Sequence, residues 1–142
     1  MTATYNIGII VSDFNEEITS AMTDKASETI KGMGHTVISV QHVPGAFDIP
    51  LICHLMLKRK DIDGIICLGA VIKGETGHDK VVAENAARKI ADLTVMHEKP
   101  VTLGIIGPGA SWELADSRKE QYAIHAAEAV IHLLNTKKGI GQ

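Results

Sequence analysis

The chain has 142 residues, 45% hydrophobic and 22% charged, which suits one packed domain and excludes a disordered or fibrous chain. Fourteen Lys and Arg against seventeen Asp and Glu leave a formal charge of -3 with no basic block, so nothing marks a nucleic-acid partner. There is no basic and apolar leader pattern and no apolar run near the roughly 18 residues of a membrane span, and the isolated Cys53 and Cys67 fit buried, reduced thiols in a cytoplasmic protein.

The first element is the apolar run YNIGIIV near residues 5–11, which predicts a buried strand. It enters SDFNEE, where Asn15 is placed to cap a helix that opens with Glu16 and Glu17. Ile18, Met22, Ala26 and Ile30 follow at helical spacing, and Gly32 with Gly34 can end that helix. A second strand, HTVISVQHV at 35–43, leads through VPGAFDIP into a helix beginning IPLICHL. The third strand, GIICLGAVI at 64–72, is followed by KGETGHD and a helix whose apolar positions are Val82, Ala86, Ile90 and Leu93. The fourth, VTLGIIG at 101–107, gives way to GPGASW and a last helix, with the tail from about 137 to 142 expected to fray.

Near-continuous apolar strands alternating with helices predict an α/β chain. Residues 1–142 should form one domain, a three-layer α/β/α sandwich around a four-stranded parallel sheet in the flavodoxin-like order 2-1-3-4. Ligands of such sheets bind outside the carboxyl ends of the strands, so SDFNE, VPGAFDIP, KGETGHD and GPGASW should gather at one edge.

GETGH before a helix is either an anion cradle, with backbone N–H groups and the Thr76 hydroxyl turned inward, or a tight turn; Glu75 weighs against the cradle unless its side chain points away. His78 is either a proton shuttle or a capping surface histidine. Phe14 and Phe47, the only phenylalanines, both fall in strand-end loops, where each can stack on a planar ligand or tuck over the core. Asp48 can accept from a polyol or amine, or cap a helix. Arg118 can clamp a phosphate or pair with Asp116 or Glu120. No HExxH or tight His/Cys/carboxylate spacing points to a metal.

VSDFNEEIT, VPGAFDIP, LGAVIKGETGHDKVVAENAARKIADL and KPVTLGI, in this order over nearly the whole chain, closely resemble the 6,7-dimethyl-8-ribityllumazine synthase family of riboflavin biosynthesis. GETGHD and NAARKIADL are most similar to archaeal members. The resemblance implies a transferase that condenses 5-amino-6-(D-ribitylamino)uracil with 3,4-dihydroxy-2-butanone 4-phosphate, releasing phosphate, without metal or organic cofactor. It implies proton transfer by His78; pyrimidine and ribityl contacts from Phe14, Ala46, Phe47, Asp48, Val71, Ile72, Lys73 and Leu103; and phosphate contacts from Gly74, Glu75, Thr76 and Arg118. It further implies a homopentamer or a larger, even icosahedral, assembly with sites between subunits.

The chain departs from the family pattern at three places. Glu75 stands where bacterial relatives have alanine, Leu103 where many have phenylalanine, and KEQYAIHA where a glycine-rich turn interrupts the last helical region. Two other identities compete: the homologous archaeal type of riboflavin synthase, whose third-strand loop lacks the GETGH arrangement, and a non-catalytic flavodoxin-like module for flavin or phosphate. Such modules grip flavin with loop tryptophan or tyrosine, and here Trp112 is the only loop tryptophan.

Overall fold

The computed structural model describes residues 3–74 and 76–141. In chain order it has β1 (Asn6–Ser12), α1 (Glu16–Gly32), β2 (Thr36–Val43), a 3₁₀ turn (Ala46–Asp48), α2 (Ile49–Leu57), β3 (Gly64–Ile72), α3 (His78–His97), β4 (Val101–Ala110) and α4 (Trp112–Ile140). The four strands form one parallel sheet in the order β2-β1-β3-β4, as expected.

Strand alternation divides the core between the two faces of the sheet. From β3, Ile66, Leu68 and Ala70 join Ile9, Met22, Ile30, Ala127 and Val130 under α1 and α4. Ile65, Cys67 and Val71 face the other way and join Ile49, Cys53, Ile90 and Leu93 under α2 and α3. Both cysteines are buried and free, and hydrogen bonding to Cys53, followed by burial, pushes the Cys67 thiol well above its ordinary range. No helix among the described residues is long and apolar enough to cross a membrane.

Four local expectations change. Strand β2 is not a fully buried strand: its residues are mostly half-buried or exposed because it lies at the sheet's edge. Asn15 occupies the N-cap position of α1 but does not cap with its side chain; its backbone is left-handed (φ 65°), and Nδ2 instead donates to the Ala70 carbonyl at 2.9 Å. Strand β4 extends to Ala110, beyond the expected end at 107, because Ile72 pairs with Ala110 across a register shift. Helix α4 is continuous through KEQYAIHA and remains helical to Ile140, so the tail does not loosen from residue 137.

Gly107 marks where β4 must pass close to β3. Its φ is +106°, and an added Cβ would collide with the Val71 carbonyl oxygen, so both the backbone conformation and the available space call for glycine.

Candidate active site

A cleft of about 530 Å³ opens at the carboxyl ends of β1 and β3. This is the point where the strand order reverses, with β1 leading outward to β2 and β3 leading the other way to β4. The β1–α1 loop contributes Ser12, Phe14 and Asn15; the loop and 3₁₀ turn after β2 contribute Gly45 to Asp48; the end of β3 and the start of α3 contribute Ala70 to Ile72, Gly74, Thr76, His78, Asp79 and Val82. Three of the four loops predicted to meet therefore build one cavity.

Phe14 is held by its backbone rather than by burial. The Phe14 N–H donates to the Pro44 carbonyl at 3.1 Å, and an added Cβ on Gly45 would approach the Phe14 ring to 3.0 Å, so the ring rests against a residue that has no side chain. It nonetheless stays 68% exposed, and Phe47 is 54% exposed. Rings left this open in a concave site are not part of the core. Asp48 is the N-cap residue of α2, but its carboxylate turns back and accepts the Gly45 N–H at 3.0 Å, which stiffens the loop under Phe14.

His78 is the first residue of α3 and is exposed, with Gly77 in the left-handed conformation (φ 72°) just before it. Next to it, Asp79 is only 7% exposed, and its Oδ2 accepts the Gly109 N–H at 2.8 Å. That bond joins α3 to the end of β4, which is also held by the Lys73 N–H donating to the Ala110 carbonyl at 2.8 Å. No local pattern points to this role of Asp79, since its partner Gly109 lies 30 residues away and an acidic residue in a first helical turn suits the helix dipole without it. Ser12, Asn15 and Val82 are further lining residues that sequence reasoning missed; Ser12 could have been found as a polar residue ending an apolar strand.

Of the expected site residues, Phe14, Ala46, Phe47, Asp48, Val71, Ile72, Gly74, Thr76 and His78 line this cleft. Lys73 does not line it and meets the last residue of β4, Ala110, through its backbone. Glu75 lies outside the described residues. Leu103 and Arg118 are not in the cleft either: they share a groove with Gln121, Tyr122 and His125 where α4 passes β4, the last strand of the sheet. Arg118 is exposed and makes no ion pair among the described residues, where Asp116 pairs with Lys119 at 2.6 Å and Glu120 approaches Lys25 at 3.9 Å.

A flavodoxin-like α/β sandwich, with aromatic rings, a histidine and a glycine-bearing loop around a cleft at the switch point of its sheet, has the architecture of the α/β proteins that hold small molecules at the carboxyl edge. The sequence model of the 6,7-dimethyl-8-ribityllumazine synthase family matches residues 4–138. Proteins named 6,7-dimethyl-8-ribityllumazine synthase from Sulfolobus acidocaldarius, Staphylothermus marinus and Pyrobaculum arsenaticum are 49%, 48% and 47% identical to it. These alignments cover 94%, 94% and 93% of this chain and 84%, 89% and 88% of the respective relatives. The chain belongs to the 6,7-dimethyl-8-ribityllumazine synthase family, an enzyme family whose members here include archaeal proteins.

Proposed function

We propose that the protein condenses 5-amino-6-(D-ribitylamino)uracil with 3,4-dihydroxy-2-butanone 4-phosphate to give 6,7-dimethyl-8-ribityllumazine, phosphate and water. The observation that carries this is the convergence of Phe14, Phe47 and His78 on one cleft at the switch point. The rings offer faces to the pyrimidine, and Ala46, Asp48, Val71 and Ile72 bound its ribityl-bearing side. Gly74, Glu75 and Thr76 take the phosphate, and Lys73 completes the loop. His78 sits beside that loop, where an imidazole can carry protons between the amine, the carbonyl and the departing groups. Two intrinsically reactive partners need mainly orientation and proton transfer, so neither a metal nor an organic cofactor is required.

Leu103 and Arg118 enter through assembly. They belong to the β4 side of the chain and not to its own cleft. This supports a homo-oligomer, a pentamer or larger, in which one chain's Leu103 and Arg118 complete the cleft of its neighbour, Arg118 as a bidentate phosphate clamp. Residues 1–142 act as a single domain in this arrangement, and a cytoplasmic setting suits two buried free thiols.

The experiment is steady-state assay of lumazine formation from both substrates by the purified protein and by His78→Ala. The variant should be slower by roughly 10- to 1000-fold with its fold intact, the usual span for a lost acid–base group. An unchanged rate would remove His78 from the chemistry, and absence of lumazine formation by the wild-type protein would refute the function.

A further inference from the structure

The Phe14 ring is exposed, yet both residues that flank it are tied down through their side chains. On one flank Asn15 Nδ2 donates to the Ala70 carbonyl of β3; on the other, the Asp13 carboxylate accepts from Nδ1 of His42, on β2, at 2.8 Å. A carboxylate has only acceptors to offer, so Nδ1 carries the hydrogen of that bond. The loop after β1 is thus pinned to both strands that neighbour β1 in the sheet, with the ring at its centre.

The backbone also holds the β2 side: the Asp13 N–H donates to the Val43 carbonyl at 2.8 Å and the Phe14 N–H to the Pro44 carbonyl. Those bonds continue the pairing of β1 with β2 and do not depend on which side chain stands at 13, whereas the His42–Asp13 bond does. Among the described residues it is the side-chain bond that joins this loop to β2. Its partners are 61% and 49% exposed, and so open a pair adds little to global stability. Neither residue lines the cleft. What the pair holds is the neighbour of Phe14, beside the Gly45 turn on which the ring rests.

We propose that His42 and Asp13 are positioning residues for the pyrimidine: their bond fixes the Phe14 loop in place before the substrate arrives. This rests on the stacking role of Phe14 in the condensation proposed above. A ring on a loop free to shift must be ordered at each binding event, and that ordering subtracts from affinity, so a loop fixed beforehand strengthens binding without any new contact. The gain belongs to binding of the pyrimidine and not to the proton transfers, so KM moves while kcat does not.

His42→Ala and Asp13→Ala should each weaken pyrimidine binding roughly 2- to 5-fold, read both by titration calorimetry and as KM, which is the range an exposed charged pair supplies. Values of kcat, and of KM for the butanone phosphate, should stay within about 1.5-fold of wild type. The melting temperature should fall by no more than about 4 °C. His42→Asn, whose side-chain amide can place a donor near the position of Nδ1, should restore most of the affinity. In a Phe14→Ala background, removing His42 should change pyrimidine binding by less than about 1.5-fold, because no ring is left to position.

Wild-type affinity in both alanine variants would reduce the pair to a surface contact. A loss of undiminished size in the Phe14→Ala background would mean that the pair does not act through the ring. Either result would leave the condensation standing. Because calorimetry needs no turnover, a wild-type protein that binds the pyrimidine in this pattern but makes no lumazine would overturn the condensation and not the positioning. A wild-type protein that does not bind the pyrimidine would overturn both.

Discussion

Phe14→Ala separates what the cleft does for folding from what it does for binding. The ring is 68% exposed, so about one third of its surface is buried in the folded chain. Full burial of such a side chain is worth about 1.5–3 kcal/mol, so its truncation should cost roughly 0.5–1 kcal/mol, or less than about 5 °C in melting temperature. A pyrimidine stacked on the open face would cover the remaining two thirds, worth about 1–2 kcal/mol, and add about 0.5–1.5 kcal/mol from aromatic pairing. The combined loss, about 1.5–3.5 kcal/mol, corresponds to a rise of roughly 10- to 400-fold in KM for 5-amino-6-(D-ribitylamino)uracil, with KM for the butanone phosphate nearly unchanged. The assay pairs thermal melts with kinetics in which each substrate is varied at saturating levels of the other. A melting temperature lowered by more than about 10 °C, together with a KM within twofold of wild type, would mean that the ring is a packing residue and that the stacking surface has been misread.

Two further tests address assembly and pH. His78→Ala and Arg118→Ala chains unfolded and refolded together in equal amounts should regain activity, with about one site in four inheriting both intact residues if each site draws on two chains; recovery no greater than the sum of the separately refolded variants would place the two residues in the same chain's site. His97, on α3, is bonded to His54 on α2 at 3.0 Å, and its pKa is lowered first by burial and then by the positive charges of His54, Lys99 and Lys58. The unfolded chain therefore binds this proton more readily than the folded one, so the stabilising contribution is complete above the ordinary histidine value near ~6.5 and is lost as pH falls below it. Melting temperature should drop between pH 7.5 and pH 5 by a few degrees at most, since the pair is only partly buried, and an identical slope in His97→Gln would show that this contact carries none of it.

Much of the fold is legible because its signals are local. Ile18, Met22, Ala26 and Ile30 recur at helical spacing and all four are buried. GIICLGAVI could be recognised as a buried strand because its residues pack under helices on both faces of the sheet. HTVISVQHV carries the same apolar signature, yet β2 lies at the edge, and no periodicity within a strand tells how many neighbours it will have. The cleft is legible for a different reason: in a parallel sheet the loops after the strands fall on one side, so Phe14, Phe47 and His78 meet despite separations of tens of residues. Asn15 and Asp79 resisted sequence reasoning because their partners, Ala70 and Gly109, are distant in sequence. For Asn15 a capping motif is the local expectation, and a tertiary hydrogen bond displaces it; for Asp79 no local pattern points to Gly109.

The openness of the cleft bears on the proposed assembly as well as on stacking. Condensation releases water, and proton transfers among an amine, a carbonyl and a leaving phosphate proceed best where bulk water is excluded. A cavity of about 530 Å³ with two phenylalanine rings more than half exposed cannot exclude solvent by itself. The residues expected to enclose it, Leu103 and Arg118, lie beside the other edge strand, with Leu103 41% exposed. An edge strand that closes a neighbour's cleft covers its own unpaired side and supplies the missing wall in one contact. In the proposed assembly, leucine where many relatives have phenylalanine would keep an apolar wall but remove a second aromatic face, leaving Phe14 and Phe47 as the rings for the pyrimidine and Arg118 as the neighbour's charged contribution.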